Sequence, residues 1–171
     1  TLDKPIHCYG IACYYLTTYL HNKGHEVHYY GHEQSTLKCT KKWICADKEH
    51  YKKHYKTDEN NTVIDYGSLD SYKGDIEFTK NVCKYLEENY KNDELILCNY
   101  SRHIENIHYH LLKLKKKFKI IDGHIGHHQP SKFTPFHVFC SYANREFAYG
   151  KYQNRSQEFN WRDTVIAPFC S

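Results

Sequence analysis

From Gly10 to Lys23 the residues Ile11, Tyr15, Leu16, Tyr19 and Leu20 fall on one face of a helix, and a stripe of that kind is meant for a core. Gly24 follows it, and a glycine there supplies the left-handed residue that commonly ends a helix. Val27, Tyr29 and Gly31 then alternate with polar residues, which predicts a short strand. The partner of that strand is expected before residue 5.

Further along, "KKWICAD" at 41–47 reads as a strand, "KEHYKKHY" as a polar helical turn, and "TVIDYG" at 62–67 as a short strand or an extended loop. In "DIEFTKNVCKYLEENYKN", Ile76, Phe78 or Thr79, Val82, Cys83, Leu86 and Tyr90 recur at helical intervals. The "ELILCNY" that follows has no alternation and predicts a strand covered on both faces, as in a parallel sheet. A helix over 104–115, a strand at "FKIID", another at "FHVFCSY", a helix in "SYANREFAYG" ended by Gly150, and a last strand in "DTVIAPF" complete the pattern. Strands alternating with helices predict an α/β fold, an open, mostly parallel sheet with helices on both faces. At 171 residues one domain over 1–171 is expected, with no internal linker.

Composition narrows the function classes. The formal net charge is +4 and the basic residues are dispersed apart from "KLKKKFK" at 113–119, so no nucleic-acid partner is expected. No apolar run approaches the ~20 residues that span a bilayer, so no transmembrane segment is expected and a cytoplasmic location is the default. The chain starts at Thr1 and contains no methionine, and it reads as a piece of something longer. Eight cysteines show no C-x-x-C pair and several lie in apolar runs, which favours reduced, buried thiols over a disulfide framework.

In a parallel sheet, ligands gather outside the carboxyl ends of the strands, so three loops are candidates for chemistry. "IHCYGIA" places Tyr9 and Gly10 where a strand-to-helix loop enters the first helix, and backbone N–H groups there can approach a diphosphate. "NYSRHIEN" sets Arg102 and His103 after a buried strand, where they can meet phosphate or carboxylate or simply pair with a nearby acid. "IIDGHIGHHQP" gathers Asp122, His124, Gly126, His127 and His128. A carboxylate beside imidazoles suits acid–base or electrostatic work near neutral pH, while a chain with 14 histidines also clusters some on a loop with no such role. Three histidines and an aspartate are also suitable ligand types for a metal, the last of the alternatives, but the spacing matches no closed zinc signature and no metal ligand is assigned there.

Three blocks carry a resemblance. "YGIACYYLTTYLHNKGHEVHYYG", "IIDGHIGHHQPSKFTPFHVFCSYANREFAYG" and "WRDTVIAPFCS" are together similar to the N-terminal domain of a GT-B type glycosyltransferase of the retaining, group 1-like kind. They run from about residue 5 to 171, whereas 36–92 contributes order but no motif. The resemblance implies a Rossmann-like, acceptor-side half that works with a C-terminal nucleotide-sugar domain absent from this chain. It implies transfer of a sugar from a nucleotide diphosphate sugar to a carbohydrate or other hydroxyl acceptor, without a cofactor and without turnover by this half alone. In that scheme Asp122 and His124 are the catalytic candidates, and Tyr9, Gly10, Arg102, His103, Gly126 and His127 bind substrate. The competing expectation is a non-enzymatic Rossmann-like domain that uses the same loops for a ligand or a protein partner.

Overall fold

The structure, a computed structural model, describes residues 8–55, 68–92, 94–98, 103–125, 130–152 and 164–165. In chain order the elements are α1 (Cys8–Asn22), β1 (His28–His32), β2 (Lys41–Ala46), α2 (Lys48–Tyr55), α3 (Leu69–Asn89), β3 (Leu95–Cys98), α4 (Ile104–Lys113), β4 (Lys119–Ile125), β5 (His137–Phe139), α5 (Tyr142–Tyr152) and β6 (Thr164–Val165). The fold is α/β, and every described strand pair is parallel. The strands form two sheets, a pair β1-β2 and a four-stranded sheet in the order β3-β4-β5-β6. The chain correspondingly divides into two compact units, one holding Tyr14–Tyr90 and the other Asp3–Cys13 with Lys91–Ser171. The stretch 62–67 and the expected partner strand before residue 5 lie outside the described residues.

In the first unit α1 stops where the glycine stands. Gly24 has φ +85°, its N–H bonds to the His21 carbonyl, and the His25 N–H reaches back to the Leu20 carbonyl at 3.1 Å, the paired closure of a Schellman turn. β1 and β2 are parallel neighbours joined by only the residues between His32 and Lys41, a shorter link than parallel strands usually need. Lys42 holds that link closed, its ammonium donating to the carbonyls of Glu33 and Ser35. α3 starts six residues earlier than its apolar stripe predicts, because the Ser68 hydroxyl accepts the Ser71 N–H at 3.1 Å and caps it. Thr79, Val82, Cys83 and Leu86 are its buried stripe.

The second unit is built on two helical crossovers. α4 carries β3 into β4, and α5 carries β5 into β6. Ile104, Ile107 and Leu111 line one face of α4 and are enclosed, as are Ile120 of β4 and Phe139 of β5. Two expectations are corrected. β3 is not covered on both faces, since Leu95 and Leu97 are 60% and 38% exposed while Cys98 is buried. Gly150 does not end α5, which runs on to Tyr152. Cys13, Cys39, Cys45, Cys83, Cys98 and Cys140 are free thiols. Burial pushes the Cys45 and Cys83 thiols up to about 12 and about 11.

Candidate functional site

The carboxyl ends of the parallel strands share one edge of the four-stranded sheet. Cys98, the last residue of β3, is in register with Asp122 of β4, and Asp122 is in turn in register with His137 of β5. β4 continues through Gly123 and His124 to Ile125, which pairs with Phe139 after a shift of register. His103 stands half-buried as the N-cap residue of α4, in right-handed helical geometry. Tyr9 and Gly10 lie inside the first turn of α1 rather than in a loop before it, among the N–H groups that have no partner within a helix. Arg102, Gly126 and His127 lie outside the described residues.

Asp122 differs most from its expected setting. Its side chain is fully enclosed, and Oδ2 accepts the Ser131 N–H at 2.8 Å. The same loop is held at further points. The Thr134 hydroxyl donates to the Ile120 carbonyl, His137 Nε2 lies 3.0 Å from the Ser131 carbonyl, and the Ser131 hydroxyl accepts the Phe133 N–H. A buried carboxylate needs such donors. Asp122 therefore anchors the start of the β5 connection and, as placed here, shows no surface to a cleft.

A second cluster lies in the first unit and was not singled out from the sequence. His50 and His54 are one helical turn apart on α2, both with side chains only 6% exposed, and Glu77 faces them from α3. His54 Nε2 lies 2.9 Å from Glu77 Oε2, and His50 Nδ1 lies 3.8 Å from Glu77 Oε1. The other nitrogen of His54, Nδ1, sits 3.2 Å from the Asp70 carbonyl. A nitrogen facing a carbonyl carries the hydrogen, so the Nε2 of a neutral His54 is a lone pair aimed at a carboxylate oxygen. A cation between the two, a proton or a metal ion, resolves that opposition. His50 Nε2 is buried with no hydrogen-bonding partner.

The surroundings of this cluster are defined by both helices. The Asp47 carboxylate caps α2 by accepting the His50 N–H at 2.8 Å. An open cleft of about 120 Å³ lies beside the cluster, lined by Asp47, His50, Glu77 and Asn81 together with Ile44, Cys45 and Ala46. Lys53 donates to Glu77 Oε2 at 3.0 Å. The Lys53 and then the His54 hydrogen bonds hold the Glu77 carboxyl down to about 2. Burial, and next the neighbouring His54, lower His50 below its ordinary value. Among the described residues, these three are the group of histidine, cysteine and acidic side chains close enough to share an ion.

No protein family, no curated protein and no solved structure matches the chain. The class that stands on the structure is an α/β protein of parallel strands. Among the described residues no helix is long and apolar enough to cross a membrane.

Proposed function

We propose that the chain is the Rossmann-like, acceptor-side half of a GT-B type retaining glycosyltransferase. One observation supports the reading: of the positions singled out from the sequence, the described ones, Tyr9, Gly10, His103, Asp122 and His124, all belong to the unit that contains the parallel sheet β3-β4-β5-β6. Parallel strands joined by helices leave their carboxyl ends and the following loops on one edge, the usual place for a ligand in such sheets.

In the proposed reaction the bond between the sugar anomeric carbon and the donor phosphate breaks. A bond from the acceptor hydroxyl to that carbon forms, and the hydroxyl proton leaves with the nucleotide diphosphate or to a base. The work of this half is to hold the acceptor in line and to meet developing phosphate charge. The first turn of α1, with Gly10 allowing close approach, faces the diphosphate. His124 and His127 orient the acceptor, and Asp122 acts on them by anchoring the connection that follows. The nucleotide itself is held by a second, C-terminal half.

The test is release of nucleotide diphosphate by the gene's whole product, supplied with a panel of nucleotide sugars and carbohydrate acceptors. His127→Ala is expected to lower transfer by about 10- to 100-fold, the range of a lost positioning or acid–base group. Unaltered transfer would remove His127 from the site, and absence of transfer with every donor would remove the reading.

A further inference from the structure

We propose that His50, His54 and Glu77 bind one divalent transition-metal ion of the zinc class, at a site within the first unit. The arrangement has the features such a site requires. Two histidines at positions i and i+4 project from the same face of α2, and a carboxylate meets them from α3. One ligating atom from each of the three residues lies within 4.8 Å of the others. Ligand bonds of about 2.0–2.2 Å place tetrahedral donors roughly 3.5 Å apart. The 2.9 Å pair of His54 and Glu77 has to open slightly and the 3.8 Å pair of His50 and Glu77 to close slightly, both within the reach of side-chain torsions.

The hydrogen bonding around His54 points the same way. Metal-bound histidines characteristically donate their second nitrogen to a carbonyl or carboxylate, which fixes the tautomer. His54 Nδ1 faces the Asp70 carbonyl in that manner, leaving Nε2 for the ion. His50 contributes a buried ring with one nitrogen toward Glu77 and the other without a partner. Two imidazoles and one carboxylate suit zinc and its neighbours better than magnesium or calcium, which take oxygen ligands. Three protein donors leave a fourth position, and the adjoining cleft lined by Asp47 and Asn81 has room there for water or a small ligand.

The competing occupant is Lys53, whose ammonium is 3.0 Å from Glu77 Oε2. That side chain is 64% exposed and can swing into water, whereas the two buried histidines cannot leave. Metal and lysine therefore compete for one carboxylate, and the competition separates a metal site from a simple ion-paired cluster.

The experiment is titration of the tag-free chain with Zn²⁺ against a chromophoric chelator, with Co²⁺ as the spectroscopic probe. The expected result is one tight Zn²⁺ per chain and visible Co²⁺ bands of tetrahedral type. Glu77→Gln should weaken the affinity by more than about tenfold, since even partners outside the ligand shell are worth about 10–100-fold. Lys53→Met, a change on an exposed side chain, should tighten binding, and this variant serves where Glu77→Gln fails to fold. The proposal is overturned by Zn²⁺ affinity that is unchanged in Glu77→Gln, or that is unchanged or weaker in Lys53→Met. These outcomes leave the transferase reading untouched, because none of its residues is altered.

Discussion

Adding one methyl group at Gly74 should have the opposite effect to adding it at Gly150, although both glycines lie within helices. A Cβ on Gly74 of α3 would stand 2.7 Å from the His54 Cβ, 3.1 Å from its Cγ and 3.2 Å from Tyr55 Cε2. Carbon atoms in contact prefer about 3.5–4.0 Å, so α2 and α3 would have to part by about 1 Å. The His54 Cβ cannot rotate away, being fixed to the backbone. Alanine in a helix interior is favoured over glycine by about 1 kcal/mol. Overpacking costs about 1–3 kcal/mol, and the strained His54–Glu77 and Tyr55–Asp75 hydrogen bonds, 2.9 Å each, contribute about 1 kcal/mol apiece. Gly74→Ala should therefore destabilise the first unit by about 2–4 kcal/mol. At Gly150 of α5 a Cβ meets nothing within 4 Å, and Gly150→Ala should stabilise by about 0.5–1 kcal/mol. Urea unfolding, followed by tryptophan fluorescence for the first variant and by amide hydrogen exchange in α5 for the second, measures both. A Gly74→Ala protein as stable as the parent, or more so, would refute the close packing of α2 on α3.

Three further outcomes follow from particular contacts. Asp122→Ala should cost about 2–3 kcal/mol, because it strands the buried Ser131 N–H that the carboxylate accepts, and Asp122→Asn should cost less; unfolding midpoints that do not move would show that the carboxylate does not anchor the loop. Lys115 has φ 53° and ends α4 as Gly24 ends α1, with the Lys116 N–H on the Leu111 carbonyl, so Lys115→Gly should stabilise by about 0.5 kcal/mol once the looser unfolded chain is counted, and a loss in thermal midpoint would contradict it. In chelator-containing buffer, stability should decline as pH falls below 6.5, since His50 resists protonation in the fold and takes it up on unfolding. The decline should continue from 4.5 toward about 2 as Glu77 is protonated. With Glu77 45% exposed its share is below about 1 kcal/mol, and Glu77→Gln should flatten that lower limb of a melting profile while steepening the one below 6.5, because the Glu77 charge partly offsets the lowering of His50, so an unchanged lower limb would count against the Lys53 and His54 contacts.

The parts of the fold that could be read from sequence were those decided locally. Gly24 closes α1 because few other residues accept its backbone angles, and the stripe of Val82, Cys83 and Leu86 shows which face of α3 is buried. What escaped was decided by partners distant in sequence or by competing local signals. Leu95 and Leu97 give β3 the apolar look of a two-sided strand, yet their burial depends on a covering layer that a four-residue strand does not itself specify. Gly150 looked like a helix end, but glycine is tolerated on an exposed helix face when no left-handed turn is formed there. The "KEHYKKHY" segment reads simply as a polar helical turn because histidine and lysine occupy all its faces. Its i, i+4 histidines were the available signal, and only the packing of α3, which brings Glu77 from 23 residues beyond His54, gives them a shared partner. Asp122 stands out in the sequence as a carboxylate beside several histidines, but its neighbours in the chain do not reveal that the Ser131 N–H, nine residues on, donates to its carboxylate.

The claim that the sheet edge receives a sugar-transfer substrate is tested most directly by amide chemical-shift mapping of the ¹⁵N-labelled chain during titration with nucleotide diphosphate sugars and candidate acceptor glycans. The account predicts saturable shifts at Tyr9, Gly10, His103 and Asp122 through His127, with His50, His54 and Glu77 unmoved. Shifts confined to the first unit, or none with any sugar or sugar nucleotide, would contradict it.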